Sequence, residues 1–176
     1  NVQLKINCVP LGIEEQNLCE IAEFACKYPV HVRFIEMMPI GYGSSFTGMS
    51  QEKIVSLLEE RFGRLVPYEG EPLGNGPCKY YIVKGFQGKI GFISAISHKF
   101  CSECNRIRLT SQGYLKTCLQ YTAGRDLREV LRNGGTDEEL KEIIKEALSE
   151  KPDGHHFREK AKEDDTESLC MAQIGG

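Results

Sequence analysis

Apolar and polar residues alternate through Val2-Gln-Leu-Lys-Ile-Asn-Cys-Val9, which is the period of a strand buried on one face with Gln3, Lys5 and Asn7 on the other. The period then changes. From Ile13 to Tyr28, Leu18, Ile21, Ala22 and Ala25 recur at helical spacing while Glu14, Glu15 and Glu20 take the polar side, which predicts a helix. Val30 to Met38 is more continuously apolar and predicts a second strand. The opening therefore reads as the strand–helix–strand crossover of a parallel sheet, in which functional residues sit at the C-terminal ends of the strands. Met37 and Met38 fall at such an end, where a methionine is ordinarily core filler, and Lys5 is a solvated charge unless its face lines a cavity.

Ser50 is placed to cap a helix running to Phe62, with Ile54, Leu58 and Phe62 on one stripe and Gly63 to end it. Glu69 to Pro77 is rich in glycine and proline and predicts a loop. Tyr80–Val83 and Lys89–Ile96 then read as two strands of a hairpin around Gly85 to Gly88. A short helix is expected from Arg125 to Arg132. Thr136-Asp-Glu-Glu139 is a capping box, followed by Leu140, Ile143, Ile144, Ala147 and Leu148 at helical spacing up to Pro152. Beyond Asp153 the pattern dissolves, which predicts a flexible tail in which His155 and His156 are solvated. The chain turns apolar again at Met171 and ends in Gly175-Gly176, slim enough to thread a crowded site.

Composition narrows the classes. The chain has 176 residues, 40% of them hydrophobic, which suffices for a core. A net charge of -3 from 22 Lys+Arg against 25 Asp+Glu argues against a broad nucleic-acid face, so any bound anion is expected to be small and local. No apolar run approaches the ~20 residues of a membrane helix and no signal peptide is recognisable. Eight cysteines without framework-like spacing point to a reducing compartment. Outside one central group they are expected to be small buried hydrophobes, with Cys170 the most exposed.

That group is the candidate chemistry. Cys101-x2-Cys104 precedes Cys118 by thirteen intervening residues, and a strand, a turn at Ser111-Gln112-Gly113 and a second strand would return Cys118 to the pair. Three thiolates at one point serve either an iron–sulfur cluster, which normally takes four and here would keep one iron open, or zinc, with His98 completing a closed Cys3His site. Spacing alone leaves both open. Arg106 and Arg108 share one face of the probable strand, where a guanidinium pair suits the oxygens of a phosphate, unless both simply lie in water.

The run Phe100-Cys101-x-x-Cys104-Asn-Arg106-x-Arg108-Leu-Thr, together with Gly91-Phe-Ile-Ser, Gly113-Tyr-Leu-Lys-x-Cys118-Leu119, Val32-Arg33-Phe34-Ile35-Glu36-x-Met38 and Ile174-Gly175-Gly176, resembles the C-terminal half of the GTP 3',8-cyclase family. These are radical S-adenosylmethionine enzymes that open molybdenum cofactor biosynthesis, and the likeness runs from Lys5 to Gly176. The resemblance implies a [4Fe-4S] cluster on Cys101, Cys104 and Cys118 whose open iron meets the guanine base. It implies GTP contacts from Lys5, Arg33, Arg106, Ile107 and Arg108, Met38 beside S-adenosylmethionine, and a Gly175-Gly176 tail needed for turnover. The product would be (8S)-3',8-cyclo-7,8-dihydroguanosine 5'-triphosphate, passed to a pyranopterin-forming enzyme in the cytoplasm or, in a eukaryote, the mitochondrial matrix. The auxiliary-cluster region of another radical S-adenosylmethionine enzyme is an alternative.

One departure counts heavily. The family's first cluster sits on a Cys-x3-Cys-x2-Cys loop, and no such spacing occurs here, so the chain alone is expected to be inactive. The expected fold is α/β: the last strand–helix–strand units of an incomplete TIM-like (βα) barrel over residues 1–48, then a cluster- and GTP-binding hairpin-and-helix extension over 49–176. Opening on a strand at Asn1, the chain is expected to be the C-terminal part of a longer polypeptide. The exposed edge of its truncated sheet would pair with the missing N-terminal half or a second copy, with aggregation as the other outcome.

Overall fold

Asn17 sets where the first helix begins. Its side chain accepts from the backbone N–H of Glu20 at 3.2 Å, so the helix starts at Leu18 and not at the expected Ile13. It ends before Pro29, which holds Tyr28 extended. The computed structural model describes residues 2–14, 16–157, 167, 169 and 171–174. The chain forms two compact units, Asn1–Met38 with Ser45–Phe100, and Pro39–Ser44 with Cys101–Gly176.

The first unit comprises β1 (Lys5–Cys8), α1 (Leu18–Lys27), β2 (His31–Ile35), α2 (Gln51–Phe62), β3 (Leu65–Pro67), β4 (Lys79–Val83) and β5 (Ile90–Ile93). Its sheet runs β1-β2-β5-β4-β3, with β1, β2 and β5 parallel and β4 and β3 antiparallel. The unit boundary therefore differs from the expected division at residue 48. Residues 49–100 join the opening strands because β5 takes β2 as its parallel neighbour. Ala22 and Ala25 let α1 approach closely over Val32, Phe34, Ile90 and Phe92, while Ile54 and Leu58 of α2 close the same layer. The β4–β5 loop tucks in as well. The N–H of Gly88 donates to Ala25 at 2.8 Å, and a Cβ at Gly88 would stand 1.7 Å from the Val30 carbonyl.

β5 is shorter than expected because Glu36 ends it. One carboxylate oxygen accepts from the N–H groups of Ile96 at 2.8 Å and Ser97 at 2.9 Å, and from the Ser97 hydroxyl at 3.1 Å, turning the chain after Ser94. Cys8 is buried as expected. Cys19, Cys26 and Cys78 are only half-buried.

The second unit is a meander, β6 (Arg108–Leu109), β7 (Tyr114–Lys116) and β8 (Gly124–Asp126), followed by α3 (Leu127–Arg132) and α4 (Asp137–Ser149). Gly113, at φ +82, closes the first hairpin. The expected short helix loses its first residues to β8, because Asp126 caps α3 by accepting from Glu129 N at 3.0 Å. The capping box at Thr136 forms in full. Leu115, Leu127 and Ala147 make the core, with Leu140, Ile143 and Ile144 packed against it.

The polar segment after Asp153 departs in part from the expected solvated tail. His155 is buried beside the Phe157 ring, whereas His156 is exposed as expected, with Nδ1 2.6 Å from the Tyr121 hydroxyl. Glu167 is buried against Lys116, and Ile174 is fully buried. Gly175, Gly176 and Cys170 lie outside the described residues. No described helix is long and apolar enough to cross a membrane.

Candidate functional site

In the first unit, strand register places Asn7, Arg33, Gly91 and Tyr80 in one row across β1, β2, β5 and β4. The opposite face carries the core, so this row belongs to the polar face. Gly91 makes the row a cradle. A Cβ there would stand 2.5 Å from the Cys78 sulfur, 3.1 Å from the Tyr80 ring and 3.2 Å from Cγ of Arg33, so three side chains fold over the space it leaves. Arg33 Nε donates to Asn7 Oδ1 at 2.8 Å, and its guanidinium also meets the Tyr80 hydroxyl. The Lys5 ammonium donates to the Leu73 carbonyl.

The electrostatics of this face favour an anion. Burial, then Lys89, Lys5 and Arg33, holds the His31 imidazole below its ordinary value. Burial raises the Cys78 thiol, although Tyr80, Arg33 and Lys5 pull it down. The Tyr80 phenol is pushed up to about 12 by burial and by Cys78, with Arg33 acting in the other direction. None of these groups is poised as a nucleophile at neutral pH. What the face offers is positive charge set in partly desolvated surroundings.

In the second unit, Cys101 opens a 3-10 turn, Cys101–Glu103, and the N–H of Cys104 closes it on the Cys101 carbonyl at 3.1 Å. The β6–β7 register pairs Arg108 with Lys116, two positions before Cys118. Burial lowers the Arg108 guanidinium below its ordinary value and Arg106 adds to this, while Cys104 and Cys118 act in the opposite direction. Arg108 is therefore in the electrostatic field of two of the three cysteines and of the second arginine. Arg106 and Ile107 are exposed.

The expected convergence of all three sulfurs on one point is absent: among the described residues no group of three or more His, Cys, Asp or Glu side chains is close enough to hold a metal ion. The donor chemistry still suits sulfur-ligated iron or zinc. Cys101, Cys104 and Cys118 are free, half-buried and carried by neighbouring segments of one unit. His98, the expected fourth zinc ligand, lies in the first unit with Nδ1 3.1 Å from the Ser97 hydroxyl. Met38 is half-buried beyond the end of β2.

Asn7, Cys78, Tyr80 and Gly91 were not among the expected site residues. The parity of the strand pattern put Asn7 beside Lys5, yet the register that brings Tyr80 and Gly91 to Arg33 involves partners up to 58 positions away along the chain.

Residues 30–157 match the family described as Molybdenum Cofactor Synthesis C, and the chain belongs to that family. Its relatives sharpen the comparison. It is 45% identical to the GTP 3',8-cyclase of Clostridium perfringens over 178 residues, covering 100% of this chain and 54% of that protein. The GTP 3',8-cyclase of Syntrophomonas wolfei is 40% identical over 98% of this chain and 53% of its own length. Molybdenum cofactor biosynthesis protein 1 of Dictyostelium discoideum is 37% identical over 88% of this chain and 25% of its own. The chain thus spans about half the length of the bacterial relatives.

Proposed function

We propose that this chain is the substrate-binding half of a GTP 3',8-cyclase, which converts GTP to (8S)-3',8-cyclo-7,8-dihydroguanosine 5'-triphosphate for molybdenum cofactor synthesis. The observation that carries the reading is the setting of Arg108, a half-buried guanidinium beside Arg106, Cys104 and Cys118. A cation pair in partly desolvated surroundings recognises phosphate oxygens strongly. Lys5 and Arg33 in the first unit, and Arg106, Ile107 and Arg108 in the second, are the residues proposed to contact GTP. Asn7 and Tyr80 keep the Arg33 guanidinium oriented, so part of the cost of ordering that side chain is met before substrate arrives.

Cys101, Cys104 and Cys118 would hold a [4Fe-4S] cluster, which supplies an iron with an open coordination position to the guanine base. Met38 is proposed to lie beside S-adenosylmethionine, and Gly175-Gly176 to enter the active site. The Cys-x3-Cys-x2-Cys spacing for the family's other cluster does not occur in this sequence, so turnover needs residues beyond this chain. In this reading the parallel strands are the end of an incomplete barrel. β1 terminates the sheet, and its outer edge would pair with the remaining barrel or with a second copy. The product would pass to a pyranopterin-forming enzyme in the cytoplasm or mitochondrial matrix.

Anaerobic reconstitution with iron and sulfide tests the reading: about four irons per chain are expected. Serine at position 101, 104 or 118 should abolish uptake, and added GTP should perturb the cluster spectrum. Zinc uptake that depends on His98, without iron uptake, would replace it with a structural zinc module.

A further inference from the structure

Lys151 to His156, just beyond α4, touch every segment that carries a site cysteine. Lys151 Nζ donates to the Cys104 carbonyl at 2.6 Å and to the Arg106 carbonyl at 2.9 Å. Pro152 shares with Cys118 and Tyr121 the wall of a cleft of about 30 Å³. Gly154 lies over Cys101, where a Cβ added to the glycine would meet the cysteine Cβ at 3.8 Å and its sulfur at 3.9 Å. The N–H of His156 donates to Oε1 of the buried Gln120 at 2.6 Å, two residues beyond Cys118.

Within this run, Lys151 makes the contact that has no substitute in regular structure. Residues 104–107 belong to neither helix nor strand, so their carbonyls need donors from outside secondary structure. A single ammonium bridging the carbonyls of Cys104 and Arg106 fixes the backbone between them. It thereby fixes the approach of that backbone to β6, which begins at Arg108. Its charge strengthens both bonds. Lys151 itself is held at the exit of α4, where its own N–H donates to the Leu148 carbonyl at 3.3 Å.

We propose that Lys151 is a positioning residue of the three-thiol site, holding Cys104 and Arg108 in place relative to Cys118 through the backbone carbonyls of Cys104 and Arg106. The proposal rests on the reading of Cys101, Cys104 and Cys118 as a common ligand set. It adds to that reading a residue 47 positions from Cys104 in sequence that touches neither metal nor substrate.

The test compares the whole chain with Lys151→Met and Lys151→Arg. Amide hydrogen exchange over residues 104–108 is expected to quicken roughly tenfold in Lys151→Met, the scale of a lost charge-assisted bond, and to recover in Lys151→Arg. The amides of β7 should hold their rates. Cobalt(II) serves as the probe metal, because its thiolate charge-transfer band counts coordinating sulfurs. The band should fall by the share of one thiolate in Lys151→Met and return in Lys151→Arg. Should Lys151→Met fail to fold, Lys151→Gln, which keeps one donor group, is expected to give the same changes at smaller size. A wild-type band left unchanged by Lys151→Met or Lys151→Gln, with unchanged exchange at 104–108, overturns the proposal alone. A wild-type chain that gives no thiolate band removes the three-thiol reading and the proposal with it.

Discussion

Arg33 and Asn7 face each other across the parallel β1–β2 pair, and the Nε of the first donates to the side-chain oxygen of the second at 2.8 Å. An arginine tethered through Nε has its planar fork oriented without using its terminal nitrogens, a suitable preparation for an anion. Asn7→Ala is expected to weaken inorganic triphosphate binding about threefold to tenfold, the scale of one lost hydrogen bond. Asn7→Asp should weaken it further, because the new carboxylate competes for the guanidinium. Titration calorimetry on the three proteins reads both effects, and equal affinities would remove Asn7 from the site.

His31 reports the charge of the same face. The Lys89 N–H donates to Nδ1 at 3.2 Å and the Gln3 side-chain amide lies 3.0 Å from Nε2, so protonation of the ring would cost the Lys89 bond. Burial and the cations Lys89, Lys5 and Arg33 depress its folded value, and the Tyr80 ring lies 5.5 Å away. The stability linked to a depressed histidine is present above the ordinary value near 6.5 and is lost as pH falls through the folded value. NMR titration should therefore show His31 protonating at lower pH than a free imidazole. Added triphosphate should move that titration upward, and a midpoint indifferent to triphosphate would place the anion elsewhere.

Gly91 supports Arg33 by leaving space. A Cβ there would press on the sulfur of Cys78 at 2.5 Å, so Gly91→Ala is expected to cost about 1 to 3 kcal/mol of stability and to disturb anion binding. Combining it with Cys78→Ala should recover much of the loss, since the two changes share one space. Urea unfolding of the single and double variants measures the coupling.

Lys116 and Glu167 form an ion pair whose side chains are only 3% and 4% exposed, and Lys116 also donates to the Tyr121 carbonyl at 2.8 Å. Glu167→Ala leaves the ammonium buried without its carboxylate and is expected to cost about 3 to 5 kcal/mol. Lys116→Met with Glu167→Leu should restore most of it, because an apolar pair leaves no charge to desolvate. Denaturant midpoints of the parent chain and the two variants decide this.

Much of the local architecture was legible in the residues. The caps at Ser50 and Thr136, the helical stripes they open and the turn at Gly113 depend on neighbours a few positions apart, and such interactions survive without tertiary context. The start of α1 was misplaced by five residues because the apolar stripe extends back to Ile13 while the capping side chain is Asn17. β3 and β8 have three residues each, too few for a period to emerge.

The cysteines and arginines of the candidate site could be named from spacing and family likeness. Their surroundings could not. Strand parity put Lys5 and Asn7 on one face, but only pairing across the sheet brought Tyr80, Cys78 and the gap at Gly91 to Arg33. The polar run after α4 looked like tail in the sequence, and it became a set of contacts on Cys101, Cys104 and Gln120 once the chain folded back. The division has a physical cause. Periodicity and capping are local free energies written in consecutive residues, whereas register and burial of polar groups arise from contacts between distant segments, which the complete packing arrangement determines.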